Sequence, residues 1–85
     1  MDIEKIRKQT KKNYKKWLRK KYRYLKTVTE LAIENAHKNF CYVEFKQEYR
    51  FITWLIRKKL ERKGFECFLI KDFGESFDDV LEIFW

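Results

Sequence analysis

The 85-residue chain has no proline, two glycines, two cysteines, one histidine and one methionine. With so little proline and glycine, no stretch has the composition of a flexible linker. No internal repeat divides it either, so one domain is expected. Cys41 and Cys67 are too few and too far apart for a disulfide scaffold or a Cys-x-x-Cys pair. With His37 as the only histidine, a zinc site lacks ligands. Gly64 and Gly74 stand alone, which excludes a glycine-rich phosphate loop. No apolar run approaches the roughly 18 residues of a membrane span. The opening Met-Asp-Ile-Glu-Lys carries no apolar signal segment. These absences predict an intracellular protein with reduced, buried thiols, no membrane partner, no metal, no cofactor and no catalytic constellation. The expectation is a binding protein and not an enzyme.

Acidic residues are also missing where they would be most expected. Residues 5–26 hold 12 of the 21 basic residues and no acid, whereas residues 27–85 hold nine basic and eleven acidic ones. The whole net charge of +8 therefore resides in one N-terminal segment. The acids from Asp72 onward (Asp72, Glu75, Asp78, Asp79, Glu82) make the other end negative. Asp78 and Asp79 read as edge protection for the last strand and as counter-charges to the basic segment.

Aromatic residues are plentiful, at 19%, which gives a short chain much burial per side chain. At about 100° per residue, residues 3–26 form an amphipathic helix. Ile3, Thr10, Tyr14, Trp17, Leu18, Leu25 and Val28 fall on one side and the lysines and arginines on the other. Thr27-Val28-Thr29-Glu30 matches a capping box and predicts a second helix over about 28–39. One long bent helix is the alternative, because the apolar phase runs through Thr27. Alternation predicts strands at Phe40–Phe45, Phe65–Lys71 and Val80–Trp85. Between the first two, a helix over 47–63 ends at Gly64. A turn is expected at 72–76. The fold class is α+β: a single small domain over 1–85, with a basic helix at 1–26 and an α/β core at 27–85. The order is α-α-β-α-β-β, with helices on one face of a three-stranded sheet and the last two strands paired as a hairpin. If the strands flanking helix 47–63 are parallel, that unit is a right-handed crossover.

Ala32-x-x-x-Ala36, Cys41-x-Val43-x-Phe45, Leu60-x-x-x-Gly64-Phe65 and the closing Val80-Leu81-Glu82-Ile83-Phe84-Trp85 form a recognisable pattern. It resembles the small α/β accessory proteins encoded by tailed phages and prophages, several of which end in a short strand closing on Trp. The resemblance covers residues 32–85 and implies a viral origin, in the host cytoplasm or the virion, more than an activity. A helix followed by a hairpin is also similar in outline to a winged helix, although strand 40–45 stands where that fold places another helix.

The candidate binding residues follow from the charge. Lys12, Lys15, Lys16, Arg19, Arg23 and Lys26 share one narrow helix face that can track phosphates. Its lysine content favours backbone contact over base reading. Solvated helix faces usually mix signs, and like charges one turn apart repel; an anionic partner relieves that repulsion. Tyr14 and Trp17 are expected to be buried against the sheet or a partner chain, and Tyr22, nearest the basic edge, to be the stacking candidate. Trp54 lies outside the apolar stripe among Arg50, Arg57, Lys58 and Glu61. It is read either as a contact hot spot or as cover for a second small core. The expected function is binding of nucleic acid, or of a nucleic-acid-containing complex, through the basic helix. Two alternatives are a virion assembly protein and an inhibitor of a host defence system. The expected partner is nucleic acid or an acidic protein surface, with a second copy of the chain as a further option.

Overall fold

The computed structural model describes residues 2–73 and 78–85; the expected turn at 72–76 therefore lies largely outside the described residues. The elements are α1 (Ile3–Glu34), β1 (Phe40–Phe45), a 3-10 turn at Gln47–Tyr49, α2 (Arg50–Arg62), β2 (Glu66–Phe73) and β3 (Asp78–Phe84). They build a small α+β domain, a three-stranded antiparallel sheet with helices on one face.

The two N-terminal helical stretches join into one uninterrupted rod of 32 residues. The Thr27–Glu30 capping pattern is not used as a cap. Thr27 Oγ1 donates to the Arg23 carbonyl at 2.9 Å, and Thr29 Oγ1 to the Leu25 carbonyl at 2.8 Å. Each hydroxyl is satisfied one turn back within the helix, so neither threonine ends it. The boundary expected between residues 26 and 27 thus falls inside α1. The helix starts instead at Asp2, whose Oδ1 accepts from the Glu4 amide at 3.0 Å, and it stops at Asn35. Helix α2 closes as read. Gly64, at φ +99°, permits the Gly64 amide to reach the Glu61 carbonyl and the Phe65 amide the Leu60 carbonyl, the Schellman arrangement.

In the sheet the order is β1-β3-β2. β2 and β3 pair as the expected hairpin neighbours, and β1 pairs with β3, each antiparallel. β1 and β2 therefore run parallel, with β3 between them. The last strand is central and not an edge, which corrects the reading of Asp78 and Asp79 as edge protection.

Alternation divides the side chains cleanly. Val43, Phe45, Cys67, Leu81 and Ile83 are buried against Leu25 of α1 and Ile52, Ile56 and Leu60 of α2. Cys41 and Cys67 both sit opposite Ile83. They are separated by two strand spacings, about 9.6 Å, which is too far for a disulfide. Burial raises both thiol pKa values; Cys67 is buried as expected, whereas Cys41 is only partly buried. On the other face the register stacks three rows, Phe40–Phe84–Glu66, Tyr42–Glu82–Phe68 and Glu44–Val80–Ile70. Among the described residues no helix covers this face.

The buried acid on the core face is Asp79, fully enclosed and gripped by Arg50 of α2, whose Nε and Nη2 donate at 2.8 and 3.0 Å. A bulge in β2 between Ile70 and Phe73 brings in Asp72, at φ +56°. Its amide donates to Asp79 and its carboxylate accepts from Arg50 and Gln47.

A cationic groove between the two helices as candidate nucleic-acid interface

α1 crosses α2 with Leu18, Tyr22, Leu25 and Thr29 turned toward the body. Beyond that contact line each helix carries a basic flank. On α2, residues 54, 58 and 62 are spaced by one turn, so Trp54, Lys58 and Arg62 form a ridge beside Leu55 and Lys59. The ridge faces Arg19 and Tyr22 of α1. Together they line an open groove of about 660 Å³ whose walls carry Leu18, Arg19, Tyr22, Trp54, Leu55, Lys58, Lys59 and Arg62. Its floor is apolar and its rim cationic.

The electrostatics are unrelieved. Among the described residues, no carboxylate pairs with Arg19, Lys58, Lys59 or Arg62. At the deeper end Lys26, Lys59 and Lys63 meet around a narrow notch with Glu30. Hydrogen bonding between the Lys26 and Lys59 amines, followed by their mutual repulsion, holds Lys59 below its ordinary value. The same hydrogen bond and the nearby Glu30 carboxylate raise Lys26.

Aromatic surface accompanies the charge. Trp54 is 50% exposed and lies parallel to Phe51, ring centres 6.2 Å apart at 17°, with Lys58 Nζ 6.0 Å above its ring. Trp54 thus lies half-exposed at the groove rim, beside Leu55.

The sequence-predicted residues divide into three groups. Arg19, Tyr22, Trp54 and Lys58 come together in the groove, and Lys26 joins them at the notch while pairing with Glu30 at 3.8 Å. Lys12, Lys15, Lys16 and Arg23 lie exposed along the same flank of α1, leading to the groove mouth. Arg50 and Arg57 stay outside. Arg50 is committed to Asp79 and Asp72, and Arg57 Nε is paired with Glu61 at 2.8 Å. Tyr14 and Trp17 are not covered by the sheet and are exposed at 54% and 37%. They stack on each other, and Trp17 leans on Tyr49 at 5.8 Å, because α1 is leaving the body at that point.

Sequence reasoning missed Lys59, Arg62 and Lys63. The run Lys58-Lys59-x-x-Arg62-Lys63 beside Trp54 was the available signal. Its meeting with Arg19 depends on how the two helices pack.

Among the described residues no three His, Cys, Asp or Glu side chains gather to hold a metal, and no helix is long and apolar enough to cross a membrane. No family model, no curated protein and no solved structure matches the chain.

Proposed function

We propose that the chain binds single-stranded nucleic acid in the α1–α2 groove, as a small accessory protein of the phage type that its C-terminal pattern resembles. The observation that carries this reading is the convergence of four basic side chains from two helices, none of them in an ion pair among the described residues, around two aromatic rings. Phosphates along a strand neutralise Arg19, Lys58, Lys59 and Arg62. The basic flank of α1 from Lys12 to Arg23 extends the track beyond the groove. Trp54 and Tyr22 offer faces on which unpaired bases stack, which any base can do. Because most contacts are lysine to phosphate, sequence preference is weak and salt dependence steep.

Anisotropy of labelled single-stranded and duplex DNA and RNA across a salt series tests the reading. The expected result is tighter binding of single strands, with log affinity falling by about 0.7 per phosphate contact for each tenfold rise in salt. The double change Lys58→Glu and Arg62→Glu should abolish binding. Trp54→Ala should weaken it about tenfold, in line with roughly 1–3 kcal/mol per stacked base, and should leave the salt slope unchanged. Unaltered affinity in the groove double variant would overturn the proposal.

A further inference from the structure

Two surfaces of this molecule lack a partner, and they complement each other. The first is the start of α1. Every side chain from residue 2 to Asn13 is exposed, and the hydrogen bonds and ion pair there close within the helix. Ile3 and Ile6 are nevertheless apolar and 62% and 44% exposed. With Thr10 and Tyr14 they follow the spacing 3, 6, 10, 14, which makes one stripe on the helix. Arg7 and Lys11 border that stripe, one turn apart.

The second is the uncovered face of the sheet. Phe40, Tyr42, Phe68 and Phe84 form a continuous aromatic ladder on it, with ring centres 5.5–5.9 Å apart. Tyr42 and Phe68 remain more than half exposed. Glu44, Glu66 and Glu82 stand among these rings. Among the described strand residues none on that face is basic, and Lys38 lies beside it over the Phe40 ring.

We propose that the N-terminal overhang of α1 from one copy docks on the open sheet face of a second copy. The apolar stripe would lie on the aromatic ladder, with Arg7 and Lys11 against the glutamates. The chain cannot satisfy both surfaces itself. α1 is one rigid helix on the opposite side of the sheet, and it projects past the body without bending back. The dimensions agree. Residues 3–16 span about 21 Å as helix, and seven-residue β3 spans about 23 Å as strand. The chain exposes 6919 Å², whereas a compact monomer of this mass exposes about 5,500 Å². The excess is in the range that standard protein interfaces bury.

Light scattering on the full-length chain in moderate salt, from low to high micromolar concentration, tests this. The expected result is a mass of two or more chains. Ile6→Glu, at an exposed side chain outside the core, should weaken association at least tenfold with an unchanged circular dichroism spectrum. Arg7→Glu with Lys11→Glu should likewise give monomers, and adding Glu66→Lys with Glu82→Lys to that variant should restore the higher mass. A monomer throughout the concentration range would overturn the proposal, as would an assembly indifferent to both Ile6→Glu and the charge swap. The groove is not involved, so Lys58→Glu with Arg62→Glu, which tests nucleic-acid binding, should leave the mass unchanged.

Discussion

At the scale of single residues, position in the fold decides which charges are available for binding. Arg50 and Lys58 are two turns apart on α2, yet Arg50 is locked on Asp79 and Lys58 faces open groove. Asp79 sits on the core face of the central strand, where an isolated carboxylate would be costly. The fork of Arg50 compensates, and its hydrogen bonds hold the Asp79 pKa below the ordinary 3.8. A depressed folded-state pKa contributes stability that is complete above the unfolded value. That contribution is lost as pH falls through the folded one. Thermal unfolding followed against pH should therefore show a midpoint that is steady at neutral pH and drops once the solution is more acid than about pH 4. Asp79→Asn should be less stable at neutral pH and lose much of that acid dependence. An acid limb identical in wild type and variant would show that other carboxylates govern it. Asp72, more than half exposed, is not expected to substitute for Asp79.

At the scale of elements, α1 is two different objects in one helix. From Leu18 onward it packs on α2 and β1, and before Tyr14 it is a solvated extension. The extension is helical because the packed half supplies the nucleus, after which each added turn forms at little cost. Replacing Asn13 by proline removes that support, since the ring clashes with the carbonyl one turn back. A detached segment of about ten residues is too short to be helical alone in water. Circular dichroism of Asn13→Pro should show helix lost over about that length, while the unfolding midpoint of the body, measured at concentrations low enough to keep the chain monomeric, stays unchanged. A large fall in the midpoint would mean that the extension contributes to the core. The same element marks the limit of what the sequence reveals. Period and charge placed the helix, its basic flank, every strand to within three residues, and the Gly64 stop. The joining of the two N-terminal helices was ambiguous, because Thr-x-x-Glu serves as a cap only when no helix precedes it. Tyr14 and Trp17 are not buried against the sheet, because apolar phase identifies a face without saying how far the neighbouring element extends. The groove needed both helices at once. Arg19 and Trp54 were visible separately, but Lys59 and Arg62 became candidates only when packing set them opposite Arg19.

At the scale of the whole molecule, the radius of gyration is 15.7 Å and the longest dimension 56 Å. A compact domain of this length has a radius near 12 Å, and the helical extension accounts for the difference. Charge is divided between opposite sides, cationic on the helices and anionic among the aromatic rings of the sheet. On α1 the basic flank and the Ile3–Ile6–Tyr14 stripe are roughly 170° apart at 100° per residue. A helix docked through its stripe therefore still presents Lys8, Lys12, Lys15 and Lys16 outward. Nucleic acid and a second copy should consequently bind together without competing. Association also brings chains of net charge +8 close to one another, a repulsion that bound phosphates would lower. Light scattering with increasing amounts of a short single-stranded oligonucleotide should then show protein mass per particle holding or rising, and the concentration needed for association falling. Particles reduced to one chain per strand would mean that strand and second copy use the same face of α1. The basic flank and the apolar stripe would then have to be reassigned to a single ligand.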